Sequence, residues 1–132
     1  MEISLKKAII KRKIHLPLML IVLLLYGLNK LVLSPQLAGS IGEFFRFYFN
    51  DLICPLFYLS CVQVLLIWAG YEMSTYKVVL FWGLLGGVIW EFLIPLLKPT
   101  SVCDYKDLLC YFLGSTLYYV IYKRSLWGYL AK

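Results

Sequence analysis

The chain of 132 residues carries little charge: Lys, Arg, Asp and Glu together make up 15% of it, against roughly a quarter in an ordinary soluble domain. Histidine occurs once, at position 15, and there is no G-x-S-x-G, no Walker loop and no H-E-x-x-H. The usual signatures of serine hydrolases, P-loop NTPases and zinc proteases are therefore missing. The four cysteines fall as two pairs spaced by seven, Cys54/Cys61 and Cys103/Cys110. That spacing is about 10.5 Å along a helix, too far for a bond within either pair, and no zinc-ligand spacing appears. Buried packing is the plain expectation for these thiols, with a Cys54–Cys103 bond as the alternative. No internal repeat or low-complexity segment divides the chain, so residues 1–132 read as one domain.

In place of charge there is hydrocarbon. Hydrophobic residues are 62% of the chain, the mean hydropathy is +0.81, and the apolar residues come in blocks. Four blocks, at about 15–33, 51–69, 78–97 and 107–122, approach the roughly 20 residues that cross a bilayer. The expected fold class is all-α, an integral membrane bundle of four transmembrane helices. The first block starts like a signal peptide, but Gln36 stands where a small residue would precede cleavage, so an uncleaved helix is expected. The fourth is short and should extend into its flanks.

A net charge of +6 could point to nucleic acid, but the position of the bases argues otherwise. Five of the thirteen sit in "KKAIIKRK", just before the first block. A basic flank there is a topology signal and attracts anionic headgroups. The partner implied is the lipid bilayer, not nucleic acid. With the N-terminus in the cytoplasm, four spans return the C-terminus there, and the bases divide nine inside to four outside, as the positive-inside rule requires.

The acids run the other way: Glu43, Asp51, Glu91, Asp104 and Asp107 fall on or near the outer side. Between the first two spans, "IGEFFRFYF" reads as an interfacial segment. The cytoplasmic "GYEMSTYK" reads as a turn without visible chemistry. "SLWGYLAK" reads as a tail anchored by Trp127 and Tyr129, and His15 as an anchor at the cytoplasmic edge.

Glu91 lies inside an apolar run, where an ionised carboxylate costs about 2.5–3.5 kcal/mol, so it should face the bundle interior or find a partner. Gly83, Gly87 and Glu91 are spaced by four and share a helix face, with the glycines letting a neighbour approach. Asp107, Tyr111, Gly114 and Tyr118 share another. Asp51 and Asp104 stand at helix starts, where capping competes with a functional role. Pro95 lies four residues past Glu91 and should disturb that helix end. Glu91, Asp104 and Asp107, with Asp51 and Tyr111, are the candidate ligand-binding set. Arg46, Lys98 and Lys106 are near enough in sequence to neutralise the acids or to take lipid phosphates. The excess of acids would also suit a hard cation such as Mg2+ or Ca2+, though no dedicated metal or cofactor site is legible. Ser101 has no base beside it, and no catalytic residue can be named.

These residues resemble the VanZ-like membrane proteins, whose signature reads approximately Glu, Gln, Pro and Arg, then Asp-x-x-Asp-x-x-x-Asn-x-x-Gly. Glu91 matches the first acid, Pro99 the loop proline, Asp104 and Asp107 the aspartate pair, and Gly114 the glycine. Ser101 stands where the family often has Arg, Tyr111 where it has Asn, and no Gln follows Glu91 at the expected place. The likeness covers roughly residues 91–114. It implies a multi-pass protein of the bacterial inner membrane, in a family whose founding member is tied to low-level resistance to a lipoglycopeptide antibiotic. The leading expectation is a protein that binds a lipid headgroup, an envelope precursor or a lipid-like drug at an acidic pocket on the outer face. A metal-assisted enzyme on a lipid-linked substrate is the alternative from the enzyme class. A structural or assembly factor, or a small transporter-like oligomer, is the third.

Overall fold

The computed structural model describes residues 5–99 and 104–130. Ser101 and Cys103, with the Cys54–Cys103 pairing, and the Trp127 and Tyr129 anchors lie outside the described residues or side chains. Every described element is helical. Helix α1 (Leu5–Leu28) passes through a π turn (Asn29–Leu33) into the short α2 (Ser34–Gln36). Helices α3 (Gly39–Phe47), α4 (Phe49–Trp68), α5 (Tyr76–Leu97) and α6 (Tyr105–Leu130) follow. The helix of the first block thus runs on through Asn29 and Lys30, and that of the fourth, α6, extends well beyond 107–122.

Four long helices form the bundle. Helix α4 packs along α1 and α6, α5 packs along α6, and α4 and α5 make a smaller contact with each other. Glycine sets the close approaches. A Cβ on Gly83 would lie 1.9 Å from Ser115 Oγ, one on Gly87 2.7 Å from the Tyr111 ring, and one on Gly114 2.3 Å from the Leu52 carbonyl oxygen. Such contacts bring backbones together where lipid supplies no hydrophobic drive. The glycine face of α5 thus meets α6, and Gly114 seats α6 on α4.

Polarity is arranged inside out. His15 and Tyr118 are completely buried, and so are Ser60, Gln63, Ser115 and Tyr122. Large aliphatics face outward, with Leu31 78% and Leu96 80% exposed. Ser60 and Ser115 satisfy their hydroxyls within their own helices, donating to the Leu56 and Tyr111 carbonyls at 2.6 and 2.7 Å. Helix α6 is two-faced: Tyr111, Tyr118 and Tyr122 turn in, while Leu109, Leu113, Leu117 and Val120 turn out. Among the described residues three helical stretches are long and apolar enough to cross a membrane: Lys13–Gln36, Gly39–Trp68 and Tyr76–Leu97. Extensive outward hydrocarbon around a polar-lined core is the pattern of a membrane protein.

The π turn is tied down by side chains. Asn29, buried, donates to the Phe45 carbonyl at 2.8 Å and to Asn50 Oδ1 at 3.0 Å. Arg46 donates to the Ser34 and Leu37 carbonyls at 3.1 and 2.8 Å, taking up acceptors freed where the helix ends. The aromatic segment 41–49 therefore forms α3 and the start of α4, folded back against the end of the first span. Helix α5 continues through Pro95 to Leu97. Pro95 has no N–H to give the Glu91 carbonyl, yet the helix is not interrupted there.

Candidate functional site

Antiparallel packing brings the start of α4, the C-terminal part of α5 and the start of α6 to one end of the bundle. The Gly114 contact sets Asp51, in the first turn of α4, near Asp107, in the first turn of α6. The Gly87 contact sets α5 against Tyr111. Asp51 lies within the electrostatic field of both Asp107 and Glu91. Tyr111 lies within that of Asp51, Glu91 and Asp107. The Tyr111 hydroxyl sits beside the Asp51 carboxyl, but it completes no hydrogen bond of normal geometry, and its residue is only 3% exposed. Four of the five sequence-predicted residues therefore share a neighbourhood.

Asp104 has a separate task. Its Oδ1 accepts the Lys106 N–H at 3.2 Å, and its carbonyl accepts the Asp107 N–H at 3.0 Å, so it caps α6. Asp51 makes no such cap: α4 begins at Phe49, and its N-terminal residue Tyr48 has no side-chain cap bond. The two aspartates that looked alike in sequence thus part company.

Two of the bases expected at this end are engaged away from the acids' centre. Arg46 is spent on backbone carbonyls, and the Lys106 ammonium lies 5.7 Å above the Tyr48 ring. Among the described residues no group of three or more His, Cys, Asp or Glu side chains could hold a metal ion. The acids share a field without forming a coordination sphere.

Two cavities open beside them. One, of about 440 Å3, lies between α4 and α5 and is walled by Tyr58, Cys61, Gly86, Trp90 and Tyr111. The other, of about 320 Å3, is walled by Tyr26, Asn50, Asp51, Phe57 and Trp90. Cys54, Phe57 and Trp90 border both. Cys54 and Cys61 carry free thiols.

The opposite end holds a polar cluster that sequence reasoning missed. His15 is no interfacial anchor: its ring is buried 5.1 Å from the Tyr122 ring and 6.0 Å from the Tyr118 ring, centroid to centroid. Neither imidazole nitrogen meets a hydrogen-bond partner. Nor is the 70–77 connection without chemistry. The Tyr122 hydroxyl donates to Glu72 Oε1 at 2.6 Å, and the Lys11 ammonium pairs with Glu72 Oε2. Gln63 accepts the Met73 N–H at 3.0 Å and donates to the Tyr122 hydroxyl at 3.4 Å. Burial pushes the Glu72 carboxyl up. Hydrogen bonds from Lys11 and Tyr122 and the charges of Lys11 and Lys123 outweigh it, holding the group below its ordinary value of 4.5. The sequence signal was faint: Lys11 and His15 share one face of α1, and Tyr118 and Tyr122 one face of α6, each at a spacing of four.

No protein-family profile, no curated protein and no solved structure matches the chain.

Proposed function

We propose that this is a VanZ-like, four-span protein of the bacterial inner membrane, with both termini cytoplasmic, which binds an amphiphilic membrane ligand at its acidic outer end. Asp51, Glu91, Asp107 and Tyr111 carry the pocket, and Asp104 supports it by capping α6. Lipid headgroups, lipid-linked envelope precursors and lipid-like drugs are the ligand classes that present a polar head at this depth. The observation supporting the reading is that carboxylates from three helices, Asp51, Glu91 and Asp107, act on the buried Tyr111 hydroxyl, which lies beside Asp51 without completing a hydrogen bond of normal geometry. A buried hydroxyl so poorly satisfied forfeits part of the roughly 1–3 kcal/mol that a full partner supplies, and a bound head that accepts from it recovers that part. The outward leucine stripe of α6 and the nine-to-four division of bases support the fourth span and the orientation.

The test is native mass spectrometry of the detergent-purified protein, comparing wild type with Glu91→Gln and Asp51→Asn. Wild type should retain a bound amphiphile that both variants lose while keeping their helical content. Variants that retain the same amphiphile at the same occupancy overturn the reading.

A further inference from the structure

We propose that the cleft between α4 and α5 takes the alkyl chain of a cationic amphiphile, entering sideways from the bilayer with its ammonium head against Asp51. The inference rests on the acidic-pocket reading above and names its ligand class.

The cleft lies where α4 and α5, which both pack more extensively on α6 than on each other, meet. Glycine thins its α5 wall: the Tyr58 ring of α4 lies against Gly86, where a Cβ would come within 2.6 Å of it. Its walls are almost wholly carbon and sulfur, and an apolar cavity of this kind does not hold water. From Gly83 to Trp90 the cleft runs about 10.5 Å along α5, against ~15 Å for half of a bilayer's hydrocarbon core. That suits one chain of a lipid standing in the leaflet. At about 440 Å3 it falls within the usual range for small-molecule sites.

What selects the head is the second chamber, which shares Cys54, Phe57 and Trp90 with the cleft. There Asp51 lines a space together with Tyr26, Phe57 and Trp90. A carboxylate among aromatic faces is the recognition pattern for an ammonium group, through charge and cation–π attraction. Two of the three bases expected at this end, Arg46 and Lys106, are held by the Ser34 and Leu37 carbonyls and by the Tyr48 ring. Trp90 and Tyr26 are each about half exposed on the outer surface of the bundle, so the head can enter laterally. Tyr111, which lines the cleft and whose buried hydroxyl lies beside Asp51 without a hydrogen bond of normal geometry, supplies a donor for an oxygen on the ligand's linker.

Alkylammonium chemistry occurs in free cationic amphiphiles and in the zwitterionic heads of phospholipids, and the test separates the two. The full chain, in maltoside micelles, is titrated with a spin-labelled dodecyltrimethylammonium while quenching of tryptophan fluorescence is followed, with Trp90→Phe assigning the signal. Competition by unlabelled dodecyltrimethylammonium, dodecylphosphocholine and dodecyl sulfate holds the tail constant and changes the head. Saturable quenching is expected, with dodecyl sulfate at least tenfold weaker than the ammonium compound. Dodecylphosphocholine competing equally well assigns the site to zwitterionic lipid, and tenfold weaker competition assigns it to a free cation. Asp51→Asn should lower affinity at least tenfold, and Cys61→Phe, which fills the cleft, should do the same. Sulfate and ammonium amphiphiles binding alike would overturn the acidic-pocket reading itself. Head discrimination that survives in a folded Cys61→Phe at wild-type affinity would overturn the cleft alone. A variant-free check is a diazirine at the end of the chain, which should crosslink to residues 58–61 or 83–87; crosslinks confined to α1 exclude the cleft.

Discussion

The Tyr122 hydroxyl donates to Glu72 Oε1 at 2.6 Å, joining the far end of α6 to the connection between α4 and α5. Lys11 of α1 pairs with the other carboxylate oxygen, and Gln63 of α4 donates to the same tyrosine. One carboxylate thus gathers groups from α1, α4 and α6 at the end of the bundle opposite Asp51 and Asp107. Glu72 thus has a structural role apart from the acids read as lying at the outer side. Glu72 holds the basic end together.

That role sets a pH dependence. The Glu72 carboxyl is held below its ordinary value of 4.5 by Lys11 and Tyr122, so the unfolded chain binds the proton more readily than the folded one. Its stabilisation is complete above the ordinary value and is lost as pH falls from about there through the depressed one. Acid denaturation of the detergent-solubilised protein, followed by circular dichroism, should show a loss of stability below pH 4.5 that Glu72→Gln largely removes. Tyr122→Phe should cost about 1.5–3 kcal/mol near neutral pH, as expected for a hydrogen bond to a charged group. A Glu72→Gln protein with an unchanged acid limb would show that other carboxyls control it.

His15 makes an opposite prediction. Its imidazole is buried against Tyr118 and Tyr122 with neither nitrogen hydrogen-bonded, and unsatisfied buried polar atoms cost about 1–3 kcal/mol. His15→Phe keeps an aromatic ring against both tyrosines and removes that cost, so it should raise the thermal midpoint. His15→Ala opens a cavity and should lower it. If His15→Phe destabilises as much as His15→Ala, the imidazole nitrogens have a polar role that geometry does not disclose.

The blocks at 51–69 and 78–97 correspond closely to α4 (Phe49–Trp68) and α5 (Tyr76–Leu97), because a span is long, apolar and bounded by polar residues. Faces were harder to read. In a soluble helix the apolar stripe marks the core, whereas in this chain leucines mark the outside and tyrosines the inside of α6. The Gly83/Gly87 and Asp107/Tyr111 faces were legible because small or charged residues repeated at helical spacing. His15 and Glu72 were not, since nothing local says that residues 15, 72 and 122 meet. Nor did any turn signal announce the π turn at 29–33; Asn29 reveals its purpose only through Phe45 and Asn50.

The glycines give a graded test of that packing. Gly83→Ala would place a methyl 1.9 Å from Ser115 Oγ, and Gly87→Ala one 2.7 Å from the Tyr111 ring; each should cost about 1–3 kcal/mol through overpacking. Gly27 lies in α1 with nothing within 4 Å of a built Cβ, so Gly27→Ala should be neutral or stabilising by up to about 1 kcal/mol. Unfolding in rising dodecyl sulfate ranks the three. Equal midpoints for Gly27→Ala and Gly83→Ala would contradict the contact between α5 and α6.

Asp51 and Asp104, alike in sequence, should separate on mutation. Asp104 accepts the Lys106 N–H, so Asp104→Ala should cost about 1 kcal/mol, as caps do, and Asp104→Asn should retain most of the stability because asparagine caps as well. Asp51 accepts no cap bond and lies in the field of Asp107 and Glu91. Like charges gathered in a poorly solvated place destabilise one another, so Asp51→Asn should leave stability unchanged or raise it. Thermal midpoints at pH 7 decide the matter. A residue whose loss helps the fold while its neighbour's loss harms it is retained for something other than stability. For Asp51 that is the ammonium head proposed above, and an Asp51→Asn protein that unfolds as readily as Asp104→Ala would return it to a structural role.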